Sequence, residues 1–168
     1  MKLKIEVKGI DSLFSFFDES EQLPYLSAHK TIAQFNADTC AAACARMILA
    51  DFGIDAPESY LASALETESG AFLSNVPKVL KDFGGKPAYK WRNNLTIADL
   101  SEAVKNGRAI VLMQRGNAKF AHALIVDDII NAEIRLRDPL PIGQGKSYAV
   151  SLKTFTEVWS KSGVVYVK

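Results

Sequence analysis

The sequence predicts an α+β domain, with a helical amino-terminal half packed on an antiparallel sheet built by the carboxy-terminal half. Alanine-rich, capped segments with helical character fall between residues 39 and 106. β-Branched runs separated by turn residues fill residues 109–167. No internal repeat, low-complexity run or linker divides the chain, and its 168 residues suit a single core. Residues 1–33 read as an extension packed on a domain of residues 34–168.

Residues 2–8 (KLKIEVK) alternate with period two, a short strand signal. Ile10 to Phe17 predicts a short helix capped by Asp11 or Ser12; Asp18 to Ala33 is polar, holds Pro24 and reads as a connecting loop. The strongest helix signal runs from about Thr39 to Phe52, rich in alanine, with Asp38 as the expected N-cap and Gly53 as its stop. Further helices are expected over Glu58 to Leu65 after Pro57, from a Ser74 or Asn75 cap to Phe83, and over Thr96 to Asn106. Strands are expected over Ala109 to Gln114, Ala121 to Val126, Glu133 to Arg137, Tyr148 to Leu152 and Val164 to Val167, with a helical turn over Thr154 to Trp159.

Composition narrows the function classes. The net charge is +1, from 20 basic and 19 acidic residues, so neither nucleic acid nor an anionic membrane is an expected partner. The longest apolar stretches, such as Ala109 to Met113, are too short to span a bilayer, and the start MKLKIEVKGI lacks the apolar run of a signal peptide. Cys40 and Cys44 share a helix face, where a disulfide is geometrically disfavoured, and unbridged thiols suit a reducing, cytoplasmic compartment. His29 and His122, the only histidines, match no metal-ligand spacing, so neither a metal nor another cofactor is expected.

Cys40 is the most informative residue. A thiol attacks as thiolate, which a helix N-terminus favours, and the unpaired first-turn amides can donate to an oxyanion. Taken alone, a first-turn cysteine is more often a small core residue, and Cys44, one turn deeper, more so. His122 opens one strand (KFAHALIV) and Asp138 closes the next (IRLRDP). If the hairpin pairs symmetrically about residue 130, Val126 meets Ile134, Leu124 meets Leu136 and His122 meets Asp138, all on one face. A one-residue slip would turn Arg135 and Arg137 onto the core face, at a cost. Separately, His122 reads as a structural strand histidine and Asp138 as a turn residue before Pro139; with Cys40 they compose a nucleophile, its base and an orienting carboxylate.

Three motifs extend this pattern: QFNADTCAAACARMI, GRAIVLMQRGNAKFAHALIV and IRLRDP. They resemble the papain-like cysteine peptidases that cut bacteriocin-type leader peptides after a double glycine, and their free-standing effector and toxin relatives. The resemblance runs from about Gln34 to Trp159, including Phe155 and Trp159 of the tail. It implies the papain-like fold, a Cys40–His122–Asp138 triad, and Gln34, six residues before the cysteine, as side-chain donor of the oxyanion hole. Where the family reads Asp-Cys-Gly, this chain has Thr39-Cys40-Ala41, with Asp38 one place earlier.

The resemblance implies a peptidase acting on a protein or peptide, at small residues such as a Gly-Gly pair. As a toxin it would imply an inhibitory immunity protein as partner, and as an effector, secretion into a target cell. Acyl transfer, deamidation and transglutamination use the same thioester chemistry, and a non-catalytic binding module could keep the fold. Gln114 and Arg115, before the histidine strand, and Trp91 are weaker candidates for substrate contact; a solvated loop and core packing are the plainer readings. Trp159 reads as core and His29 as a surface loop residue.

Overall fold

The computed structural model describes residues 14–36, 38–67, 70–71, 73–84, 89–115 and 121–167. The strand expected over residues 2–8, and residues 10–13 of the helix expected after it, lie outside this set. Phe14 to Phe17 is described and is not helical; it runs as a bend into a 3₁₀ turn at Glu19–Glu21. The expected loop after it therefore holds a short helical turn, and Leu23 bridges to Ala149.

Helix α1 (Cys40–Asp51) forms where alanine dominates and ends where Gly53 takes the left-handed conformation (φ 79°). Its N-cap position is Thr39, not Asp38: the chain turns one residue later than expected, and Asp38 stays exposed. Small side chains let α1 be buried almost all round, from Cys40 through Ala45 and over Met47 to Leu49. Helix α2 (Glu58–Leu65) follows, then a two-strand pair, β1 (Glu66–Thr67) and β2 (Gly70–Ala71). Helix α3 (Val76–Asp82) starts after Asn75 with a proline in its first turn, where a missing N–H costs nothing. Strand β3 (Tyr89–Arg92) was not anticipated, because four residues reading YKWR carry no apolar run. Helix α4 (Ile97–Val104) is closed by a capping box: the Thr96 hydroxyl accepts from Asp99 N, and the Asp99 carboxylate accepts from Thr96 N.

The remaining elements are β4 (Ala109–Met113), β5 (His122–Ile130), β6 (Glu133–Asp138), β7 (Lys146–Ser151), α5 (Leu152–Val158) and β8 (Trp159–Tyr166). Among the described residues they join β3 in a six-stranded antiparallel sheet, ordered β3-β8-β4-β5-β6-β7. Both faces are covered, which is why β4 reads AIVLM without alternation. On one face, Ile110, Leu112, Ala123 and Ile125 pack with Cys44, Met47 and Ile48 of α1. On the other, Val111, Leu124, Val126 and Leu136 pack with Leu100, Phe155 and Phe17. Burying a side chain such as Phe17 contributes roughly 1.5–3 kcal/mol towards holding the amino-terminal segment on this face. Gly163 is required by close approach: a Cβ there would lie 2.5 Å from the backbone oxygen of Ile110 on the neighbouring strand.

The β5–β6 hairpin corrects the symmetric register. Its turn is the two-residue Asn131-Ala132, both left-handed (φ 52° and 64°), a geometry matched to strand twist. Ile129 therefore meets Ile134, and Val126 meets Leu136 rather than Ile134. A bulge lies between Val126 and Asp128, leaving Asp127 as the extra residue. The tight turn alone would have set His122 and Asp138 on opposite faces; the added residue restores their shared face. Arg137 faces the core after all, fully buried opposite Ile125. It is compensated by Asp51 of α1 (Nη2 to Oδ2, 2.7 Å), by Asp127 (Nε to Oδ1, 2.8 Å) and by the Lys30 carbonyl (3.0 Å).

Candidate active site

The start of α1 is held by the loop before it. Thr39 turns its hydroxyl back to Asn36, donating to the carbonyl and accepting from the amide. The buried Glu58 of α2 accepts from Phe35 N at 3.2 Å, and burial pushes its carboxyl up despite that bond. The first helical bond of α1 is Ala43 N to Thr39 O, so the amides of Cys40, Ala41 and Ala42 precede the ladder at the helix's positive end. Gln34 is buried and fastened through its backbone: its N–H donates to Pro139 O, and its carbonyl accepts from Gly143 N. Gly145 completes that turn at φ 66°, a left-handed conformation that favours glycine, and a Cβ there would sit tightly, 3.2 Å from Asp138 O and from Thr31 Cγ2. The Gln34 side chain donates through Nε2 to Asn36 O at 2.9 Å.

His122 opens β5, opposite Met113. Its Nε2 meets Asp138 Oδ1 at 2.8 Å, although the two strands pair in a register the sequence did not predict. Carried one residue beyond Ile125 and Arg137, the observed register sets Asp138 across from Leu124, and His122 reaches it diagonally. Asp138 is fully buried and accepts from further donors: Leu140 N on Oδ1 (2.9 Å), and Tyr148 Oη (2.6 Å) and Phe16 N (2.8 Å) on Oδ2. A buried carboxylate so surrounded is held in one orientation. Burial, then the Asp138 charge, push the Tyr148 hydroxyl well up, so it remains a donor.

Burial draws the His122 imidazole towards neutrality, but the charge and hydrogen bond of Asp138 overcome this, and Cys40 beside the ring adds to it. The result is an imidazole raised to about 10. With Nε2 taken by Asp138, Nδ1 is the nitrogen left for the thiol; it is buried and makes no hydrogen bond of regular geometry among the described residues. Cys40 therefore acts on the ring by proximity. Cys44, one turn on, is fully buried; burial, then Cys40 and Asp138, push its thiol well up, leaving it a neutral packing residue.

Of the weaker candidates, Gln114 and Arg115 directly follow Met113, the residue that pairs with His122, and Trp91 lies apart. Gln114 continues β4 and donates from its backbone to Val158 O. Arg115 reaches the amino-terminal segment, donating to Phe16 O at 2.8 Å, pairing with Glu21 Oε1 at 3.4 Å and lying over the Phe16 ring. Trp91 sits on edge strand β3, three strands from β5, and packs against the core beside α1. Three strand spacings are about 14 Å, so it does not adjoin His122. Trp159 is core, its ring tilted against Phe155, and His29 lies beside Asp51 and Arg108. The sequence reading missed Tyr148, Glu58 and Phe16. Tyr148 could have been sought as a buried strand tyrosine needing a partner; nothing in the sequence ties Phe16 to a residue 122 positions away. Among the described residues, no group of three or more His, Cys, Asp or Glu is placed to hold a metal, and no helix is long and apolar enough to cross a membrane.

Helices on a six-stranded antiparallel sheet, with a cysteine heading α1 and a histidine opening β5, make the papain-like peptidase architecture. Comparison with known proteins agrees. The model of the Peptidase_C39 like family matches residues 24–167, and the chain belongs to that family. The peptidase domain of Streptococcus ComA, a bifunctional ABC transporter involved in a quorum-sensing pathway, superposes with a TM-score of 0.66 at 17% identity, over 83% of this chain and 99% of that one. A protein described as a C39-like peptidase from Bacillus anthracis superposes at 0.67 with 15% identity, over 85% and 96%. A double-glycine motif protease from an AMS/PCAT transporter, solved with a leader peptide, gives 0.60 at 16% identity, over 82% and 89%. No curated relative matches the chain.

Proposed function

We propose that the protein is a cysteine peptidase in which Cys40 is the nucleophile, His122 its base and acid, and Asp138 the group that orients the imidazole. The observation that carries this is the buried 2.8 Å bond from His122 Nε2 to Asp138, on a ring whose other nitrogen is left to Cys40. In this reading the Cys40 sulfur attacks a scissile carbonyl as thiolate beside the His122 imidazolium. A C–S bond forms, the C–N bond breaks, and His122 gives its proton to the leaving amine. Water, deprotonated by His122, then hydrolyses the thioester. The oxyanion is received by the Cys40 amide and by Gln34, whose Nε2 has one N–H beyond that given to Asn36.

The substrate is proposed to be a peptide cut after small residues such as Gly-Gly. The double-glycine motif protease with its bound leader peptide supports that class by family likeness. Peptides carrying Gly-Gly or bulky pairs at one position, incubated with the full chain, test both parts. Cys40→Ala should abolish cleavage without lowering Tm. Gln34→Ala should reduce kcat about 100- to 1,000-fold. Cleavage that survives in Cys40→Ala would refute the assignment, and equal cutting at Gly-Gly and bulky pairs would remove the double-glycine preference.

A further inference from the structure

The family match begins at residue 24, yet Phe14 to Glu21, before it, lies over the candidate site. Phe16 stacks on the His122 imidazole, with centroids 5.6 Å apart and planes within 14°. Its amide donates to Asp138 Oδ2, so one residue touches both members of the His–Asp pair. The segment is secured on both sides. Phe17, next in sequence, is buried and packs edge-on to Tyr148, whose hydroxyl bonds the same carboxylate oxygen. Arg115 grips the Phe16 carbonyl and ring and pairs with Glu21. Ser15 Oγ reaches the carbonyl of Leu140, on the loop after Asp138.

We propose that this amino-terminal segment completes the active site, with Phe16 a positioning residue that shields the His122–Asp138 bond from water and fixes the plane of the imidazole. The inference rests on the peptidase reading for its consequence in catalysis, though not for its geometry. A removable plug would not be anchored by a core phenylalanine and an arginine clamp; this segment is. The groups that face the imidazole or its carboxylate are Cys40 of α1, Asp138 of β6 and Tyr148 of β7; Arg115 lies behind the Phe16 ring, and Cys44 also feels Asp138. In this proposal, water let in beside the ring weakens the Asp138 charge and hydrogen bond that hold the imidazole up by more than it relieves the burial that holds it down, so the imidazole falls.

The test uses the full chain with Phe16→Ala and Phe16→Trp. Only two histidines are present, so the imidazole resonances of His122 and His29 can be titrated separately by NMR. Phe16→Ala should lower the His122 midpoint by about one pH unit and leave His29 unmoved, and kcat on a cleaved peptide should fall about tenfold at unchanged KM. Phe16→Trp, which keeps an aromatic face, should restore both. An unmoved His122 titration in Phe16→Ala at native Tm would overturn the proposal, as would a gain in kcat, which would make the segment a plug. If the midpoint moves as expected but the wild type cuts no peptide, the positioning role stands and the peptidase reading fails.

Discussion

His122 is caught between two opposed demands. Burial disfavours its charge, and the carboxylate on Nε2 favours it; the carboxylate wins and the imidazole is raised to about 10. A group raised in the folded state stabilises the fold fully below its unfolded value near 6.5, and that contribution disappears as the pH climbs through about 10. Wild-type urea midpoints should therefore decline between about pH 6.5 and 10, and the decline should flatten in Asp138→Asn. An equal slope in the two proteins would mean that Asp138 does not hold the proton on His122. The same substitution keeps the volume of the side chain but removes its charge, so kcat should fall, and by less than in Asp138→Ala, because an amide oxygen can still accept from Nε2. Cys40, His122 and Asp138 could be singled out as candidates from residue chemistry and strand pairing, and Gln34 only from the family resemblance. Phe16 and Tyr148 could not, because their roles arise only when distant segments meet on one carboxylate.

The β5–β6 hairpin decides whether the pair can form. Asn131-Ala132 sets a two-residue turn, and the extra residue at Asp127 corrects the strand parity that this turn disturbs. Asp127 is then available to bind Arg137, Tyr25 and Ser27, so the bulge also anchors the loop before Gln34. Arg137→Met should cost about 3 kcal/mol, because Asp51 and Asp127 would keep their burial and lose their closest cation, with His29 (3.6 Å) and Arg108 (3.9 Å) more distant. Denaturant unfolding measures this; a loss under 1 kcal/mol would mean that the pairing is not structural. Gly163→Ala should cost roughly 1–3 kcal/mol, since its Cβ meets a strand backbone that cannot step aside. Helix spans were readable from composition and caps. The bulge was not, because β5 is buried on both faces from His122 to Asp127 and so offers no alternation for an extra residue to interrupt, and the two arginines of IRLRDP look alike although Arg137 is fully buried and Arg135 is not.

At the scale of the molecule, one sheet separates two cores, and the candidate site lies where α1, the ends of β5 and β6, and the amino-terminal segment converge. The α+β class followed from the change in residue character near position 109, while edge strand β3 escaped because it interrupts the helical half without an apolar run. Cys40 is fully buried and His122 only 3% exposed. The most direct measurement is rapid-quench mass spectrometry of the wild type mixed with a Gly-Gly peptide. The account predicts a transient acyl adduct on the peptide fragment holding Cys40, absent in His122→Ala; turnover without an adduct there, or with the adduct on Cys44, would contradict it.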